Sequence, residues 1–374
     1  MDSFDIDEVR RRMMKFYMPV RLFDEEECVK AHAKDIAALG KKALIVTGKH
    51  SAFSNGSFDD IAQVLKDTET DYQVFSEVEE NPSVETVFAA KDRFASEGID
   101  FVIGIGGGSP MDAAKAIALV LKHPEADPAY LYDKEKDPSS LPVVCVPTTC
   151  GTGSEVTGVS VLTRHDKKTK ISMVHKVFPT LALVDGKYLK GASQTLIVNS
   201  AVDALSHLYE SVINAKADDY VRMTAAAGLK TWAKIKDVLS GEREMSAEDA
   251  RVLMRASVLA GMSIAGSGTS IPHALSYTLT YDLSLAHGRA VGYFLPAFME
   301  AAPAAERDEL LKLSGFENVA EFYAFTAKVF GEQDIPEEEL KRTYDLVSNN
   351  PAKMKSASYA VDGELLKQIV FWKK

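Results

Sequence analysis

Phe101-Val102-Ile103-Gly104-Ile105-Gly106-Gly107-Gly108-Ser109-Pro110-Met111-Asp112-Ala113-Ala114-Lys115 is the stretch that decides the fold. An apolar run meets a glycine cluster, and a helical pattern follows to about Leu121. A buried strand that turns through glycines into a helix is the building unit of a parallel sheet covered on both faces. Glycine lacks a Cβ, so the backbone can turn sharply there and come close to a ligand. Ser109 is placed to cap the helix and Pro110 suits its first turn. Asp112 stands three residues past the cap, as in a capping box. The free N–H groups and positive dipole end of such a helix suit a pyrophosphate. A lone glycine pair would fit a ligand-free turn equally well; three glycines with a capping signature favour phosphate binding.

The same alternation continues on both sides. Ala43–Thr47 and Tyr72–Phe75 read as short strands, Ser57 caps a helix through Lys66, and a second helix runs from Ser83 to Ser96. Pro142–Val146 is a further apolar strand, and shorter β-prone pieces lie at 158–162, 170–174 and 181–185. The character changes near residue 190. Helical patterns then dominate, at about 194–213, 218–239, 247–264, 287–301, 319–329 and 337–347. Leu253, Ala256, Ala260 and Ile264, for example, share one helix face. The expected organisation is an α/β domain over residues 1–190, with a mostly parallel sheet. An all-helical domain over 191–374 follows, and the cleft between them is a favoured place for a small-ligand site.

Composition narrows the function. The 374 residues are 46% hydrophobic and 26% charged, an ordinary globular mixture. With 43 basic against 54 acidic side chains the net charge is −11, which argues against a nucleic-acid or anionic-membrane partner. No apolar run reaches the ~18 residues that a membrane span needs. Met1–Asp5 is acidic and does not resemble a signal peptide. Cys28, Cys145 and Cys150 are too few and too scattered for a disulfide framework or a thiolate zinc site. A cytoplasmic enzyme is the expectation.

A second polar loop, Pro147-Thr148-Thr149-Cys150-Gly151-Thr152-Gly153-Ser154-Glu155, follows a strand, where open α/β sheets bind ligands. Taken alone it reads equally as a solvated loop. The helical half carries a sharper signal. Asp203 and His207 are four apart in a helical pattern and so share one face. His273 and His287 open two later segments. Three imidazoles and one carboxylate suit Fe²⁺ or Zn²⁺ and are too nitrogen-rich for Ca²⁺ or Mg²⁺. A single helical histidine is more often a core or surface residue, and Asp203 with His207 could be a mere surface pair. Four such groups among small or apolar neighbours favour a metal site. His32, His50, His123, His165 and His175 lie in charged or loop-like settings and read as structural or solvated, with His50, beside the first strand, held open.

These motifs, in this order from about Phe16 to Pro351, resemble the iron-containing alcohol dehydrogenases. The likeness is greatest to the butanol and 1,3-propanediol dehydrogenase branch, which has the dehydroquinate synthase-like architecture. The resemblance implies reversible hydride transfer between NAD(P)(H) and a small primary alcohol or aldehyde, with Fe²⁺ as the metal; Zn²⁺ fits the ligands equally well on chemical grounds. It implies that residues 1–190 are a dinucleotide-binding domain and 191–374 a metal-binding and substrate domain, with the active site in the cleft between them and Asp203, His207, His273 and His287 as metal ligands. It also implies Gly107, Gly108 and Ser109 at the pyrophosphate with Asp112 nearby, and Thr148, Thr149 and Thr152 along the cofactor cleft. Asn81 would approach the adenosine half, Lys170 the ribose, and the chain would form a homodimer.

Two departures from that pattern matter. Where many NAD-preferring members carry an aspartate after the first strand, this chain has Gly48, followed by Lys49 and Ser51. Room, a positive charge and a hydroxyl favour a 2′-phosphate, so NADP(H) is expected over NAD(H). Tyr277 stands where some relatives place an additional histidine and is a candidate proton relay. Asn199-Ser200-Ala201, where relatives often have glycine, carries no functional reading. A polyol dehydrogenase of glycerol type and a non-catalytic nucleotide-binding protein are the alternatives. A dehydroquinate-synthase-like lyase would need a basic pocket, and Arg289 is the only basic residue beside the metal positions in sequence.

Overall fold

The structure is a computed structural model and describes residues 16–331 and 333–372, so the acidic Met1–Asp5 segment lies outside the described residues. The strands are β1 (Arg21–Asp24), β2 (Lys42–Thr47), β3 (Asp71–Phe75), β4 (Phe101–Gly106), β5 (Val143–Pro147), β6 (Val161–Arg164), β7 (Thr169–Ser172) and β8 (Leu181–Val184). Six of them form one sheet in the order β1-β8-β5-β4-β2-β3, and every pairing in it is parallel. The remaining two, β6 and β7, make an antiparallel hairpin.

Side-chain alternation explains why the sheet is covered on both faces. Leu44, Val46 and Val102 enter one core, while Ala43, Ile45, Phe101, Ile103 and Ile105 enter the other. The flanking helices are α1 (Ser57–Asp67), α2 (Val84–Phe94) and α3 (Gly108–Lys122). Of these, α2 and α3 supply Val87, Phe94, Ala114 and Ile117 to the first core, and α1 supplies Ile61 and Leu65 to the second.

The chain then turns helical: α4 (Gln194–Val212), α5 (Asp219–Trp232), α6 (Ala247–Ser267), α7 (Ile271–Asp282), α8 (His287–Ala301), α9 (Ala304–Leu313), α10 (Val319–Phe330), α11 (Glu337–Ser348) and α12 (Gly363–Val370). Ser193 starts α4 by accepting the Leu196 N–H, and Ser246 with Asp249 forms a reciprocal capping box on α6. From Ala201 to Val212 α4 is buried on every face, which places it at the centre of the bundle. Its core spreads through Leu205, Leu208, Trp232, Phe294, Phe298 and Phe322.

Four features differ from the sequence reading. The edge strand β1 and the helices α7, α9 and α12 were not expected as elements. The 218–239 segment ends as α5 at Trp232 and resumes as a short turn at Lys236–Leu239. Helix α3 starts one residue before Ser109, with Gly107 as its N-cap and no side-chain cap. The capping-box reading is therefore corrected: the Ser109 Oγ accepts the Asn81 N–H, and the Asp112 carboxylate accepts from Ser154 Oγ and the Val161 N–H. Both side chains tie the helix to neighbouring loops, and its first N–H groups are left without a side-chain partner.

Candidate metal centre and cofactor cleft

Helix α4 carries Asp203 and His207 on one face, α7 brings His273, and His287 is the first residue of α8. Measured from Asp203 Oδ1, His273 Nε2 lies at 3.4 Å, His287 Nε2 at 3.7 Å and His207 Nε2 at 3.8 Å. Ligand atoms of Asp203, His273 and His287 all fall within 4.8 Å of one another. Asp203, His207 and His273 are buried, and His287 is half-buried.

The orientation of each ring is fixed from behind. The His207 Nδ1–H donates to the Gly151 carbonyl at 3.2 Å, and the His273 Nδ1–H donates to Glu210 Oε1 at 2.6 Å. Each turns its Nε2 toward Asp203. Glu210 is fully buried, and its second oxygen accepts the N–H groups of Ser270 and His273 at the start of α7. Sequence reasoning missed Glu210, although it follows His207 by three residues on the same helix.

The donor set fits a divalent transition metal. Asp203 Oδ1 and His273 Nε2 are buried with no hydrogen-bond partner among the described residues, and orphaned buried polar atoms are rare in native proteins. Ligand bonds of about 2.1 Å around a tetrahedral centre place donor atoms roughly 3.4 Å apart, close to the spacings observed. Burial pushes the imidazoliums of His207 and His287 below the usual histidine range, and the Lys170 ammonium adds to the effect at His287. Both rings are therefore neutral and free to ligate. Burial also disfavours charge on His273, but the Glu210 and Asp203 carboxylates outweigh it and raise that ring to about 9.

The glycine turn packs directly against the polar loop. A Cβ on Gly108 would stand 2.7 Å from Thr152 Cγ2, and one on Gly107 would stand 3.1 Å from Thr149 Oγ1. The two glycines let the threonine loop close over the α3 N-terminus. Thr148 is pinned by its N–H to the Gly106 carbonyl. Asn81, with a left-handed φ of +58° that asparagine tolerates, connects this wall. Its N–H meets Ser109 Oγ, and its Oδ1 accepts from Lys170 Nζ at 3.1 Å. Gly48 follows β2, with Lys49 and Ser51 exposed beside it.

Tyr277 stacks on His287, with 6.2 Å between ring centroids. Lys170 Nζ lies 5.3 Å from the centre of that tyrosine ring and Lys353 Nζ lies 6.0 Å from it. The expectation that Arg289 is the only basic residue beside the metal positions is thereby corrected. Lys170 arrives on β7 and Lys353 on the Pro351–Met354 turn, both remote in sequence. The other histidines have structural partners: His32 bonds Glu25 and Asp35, His123 faces the Ser139 carbonyl, and His175 faces that of Tyr130. His165 is exposed near Tyr281, and His50 precedes the short Ser51–Ser54 helix. The Asn199-Ser200 segment also gains an account. Its carbonyls press on Gly288 and Gly151, where no Cβ could fit.

Two family models cover the chain. The first, iron-containing alcohol dehydrogenase, matches residues 19–186, and the C-terminal model of the Fe-containing alcohol dehydrogenase family matches residues 197–372. The chain belongs to the iron-containing alcohol dehydrogenases. An iron-containing alcohol dehydrogenase of Thermotoga maritima superposes with a TM-score of 0.88 at 36% identity, covering 96% of this chain and 98% of that one. The NADPH-dependent butanol dehydrogenase of Clostridium saccharobutylicum is 30% identical over 265 residues, 69% of this chain and 66% of that protein. The aldehyde-alcohol dehydrogenase 2 of Entamoeba histolytica is 28% identical over 302 residues, 77% of this chain. The match spans only 34% of that relative's length. Within this iron-containing alcohol dehydrogenase, no helix among the described residues is long and apolar enough to cross a membrane.

Proposed function

We propose that this chain transfers hydride between NADP(H) and a small primary alcohol or its aldehyde, of butanol or 1,3-propanediol type. The observation that carries the reading is the convergence of unpartnered, buried ligand atoms of Asp203 and His273 with the His287 ring. With His207, these residues would hold Fe²⁺, or Zn²⁺ on the same chemistry. The bound ion supplies positive charge that stabilises a substrate oxygen as it becomes anionic, and the nicotinamide supplies or accepts the hydride.

The chain's own part is positioning. Glu210 and the Gly151 carbonyl hold two imidazoles in one tautomer and orientation. The uncapped α3 N-terminus, with Gly107, Gly108 and Ser109, offers N–H groups to a pyrophosphate, and Thr148, Thr149 and Thr152 line the facing wall. Asp112 braces the helix against the next loop, and Asn81 and Lys170 extend the wall toward the sugars. Burial pushes the Tyr277 phenol up to about 12, so at neutral pH it keeps its proton. As a proton relay it would donate to the substrate oxygen.

Preference for NADP(H) rests on the end of β2, where Gly48 leaves room and Lys49 supplies charge near an added 2′-phosphate. A homodimer is supported by exposed Phe16, Tyr17, Tyr220 and Met223, of which Phe16 and Tyr220 pack together. The deciding experiment follows NADPH and NADH oxidation with butanal, comparing iron-loaded and chelator-stripped protein. Metal-dependent turnover that favours NADPH, lost together with metal content in H273A, is the expected result. Full activity in metal-free H273A would sink the reading, and NADH preference would overturn the role of Gly48.

A further inference from the structure

The Tyr277 ring is approached by two ammonium groups, yet no carboxylate closes an ion pair with either among the described residues. Among these residues Lys170 has one hydrogen-bond partner, the neutral amide of Asn81. Lys353 is half-buried, and among them it donates no side-chain hydrogen bond and forms no ion pair. The carboxylate that acts on it is Glu210, whose oxygens already receive the His273 imidazole and the N–H groups of Ser270 and His273. Lys170 feels Asp203, Glu80 and Asp112, of which Asp203 belongs to the metal cluster and Asp112 already accepts from Ser154 Oγ and the Val161 N–H. An aromatic face returns only part of what an ammonium loses on leaving water. Two such groups stand beside a ring that stacks on a candidate ligand, and neither has a carboxylate of its own in an ion pair. A neutral alkyl alcohol would leave both ammoniums without an ion-pair partner. A carboxylate would neutralise them through charge-assisted hydrogen bonds.

We propose that Lys353, at the Tyr277 ring that Lys170 also approaches, recognises an anionic terminal group, so that the substrate is a short aldehyde or alcohol bearing a carboxylate at its far end. This rests on the dehydrogenase reading of the same site and specifies its substrate class. Lys353 then determines specificity by touching the end of the substrate away from the reacting carbon.

The test pairs 4-oxobutanoate with butanal, which match in chain length and differ in terminal charge, using iron-loaded protein and NADPH. The wild type should favour 4-oxobutanoate in kcat/KM by about tenfold or more, chiefly through KM, as a hydrogen bond to a charged group allows. K353Q should erase that ratio and K353R should restore most of it, with circular dichroism and iron content alike in all three. A wild-type preference for butanal, or an unchanged ratio in K353Q, overturns the proposal. Calorimetric titration with 4-hydroxybutanoate against 1-butanol separates the two levels of inference. Lys353-dependent binding of the anion with neither aldehyde reduced would bring down the dehydrogenase reading and leave anion recognition standing. Absence of such binding overturns anion recognition whatever the turnover.

Discussion

Glu210 Oε1 accepts the His273 Nδ1–H at 2.6 Å, while Glu210 Oε2 accepts the backbone N–H of the same histidine. One carboxylate thus fixes both the ring and the main chain of a candidate ligand, and it caps α7 through Ser270 as well. Glu210→Ala would leave three buried donors without partners. It is expected to cost about 2–4 kcal/mol of stability, read from denaturant unfolding. Metal affinity should fall roughly 10- to 100-fold in a competitive chelator titration, the usual consequence of losing a carboxylate behind a ligating histidine. Unaltered affinity would mean that packing alone holds the ring.

Lys115 is a buried cation of the α/β half. It is fully buried, and its ammonium donates to the Ser154 carbonyl, Ser154 Oγ and the Val159 carbonyl. Lys115→Met keeps the volume and strands these acceptors. A loss of about 2–4 kcal/mol in unfolding experiments is expected. Nucleotide affinity should weaken because the 148–161 segment is then held to α3 by Asp112 alone among these contacts. A melting temperature equal to that of the wild type would contradict this assignment.

Glu155 titrates in an unusual range. Burial raises its carboxyl from 4.5 to about 7, against the smaller opposing influence of its own backbone N–H and of Lys115. Between about pH 4.5 and 7 the folded state holds a proton there that the unfolded chain has released, so stability falls as pH rises. Glu155→Gln removes that slope. The variant should match the wild type near pH 4 and exceed it above pH 7, by an amount on the order of 3 kcal/mol. Parallel stability curves for the two proteins across this window would refute it.

Chelation should destabilise the fold as well as silence it. Asp203 Oδ1 and His273 Nε2 have no hydrogen-bond partner among the described residues, so a bound ion contributes directly to the folded state. At free metal one hundred times its dissociation constant, linkage gives about 2.7 kcal/mol. Scanning calorimetry with and without chelator should show a lower melting temperature for stripped protein. In Asp203→Ala the two scans should coincide.

The parts of this molecule that could be read from sequence are those whose signal is local. Strands β2, β4 and β5 are buried on both faces and appear as short apolar runs, and α4 places Asp203 and His207 together by helical spacing alone. Strand β1 is an edge strand with an exposed-to-intermediate pattern, so it lacks the apolar run that marks its neighbours. Helix α7 opens with Ile271-Pro272 and carries serines and threonines on buried positions, which blurs its period. Ser109 and Asp112 are good capping residues by type, yet their side chains answer to Asn81, Ser154 and Val161, segments that only the folded chain brings near. Lys353 is the extreme case. It lies 66 positions beyond His287, and its place above Tyr277 depends on the chain returning through α11.

The hydrogen bond from His207 to the Gly151 carbonyl crosses the boundary between the two family models. A chimaera that exchanged everything after residue 190 with a relative would carry Asp203, His207, His273 and His287 across as a complete set. It would not carry the group that orients His207, which stays with the recipient. Because that group is a main-chain carbonyl, it tolerates any side chain that preserves the loop's path. That path depends on residue 151 lacking a Cβ, which would otherwise meet the Ser200 carbonyl at 2.7 Å. Recombination between halves is therefore open to donors and recipients that keep the glycine. Elsewhere the exchange would deliver an intact ligand set with one misdirected ring.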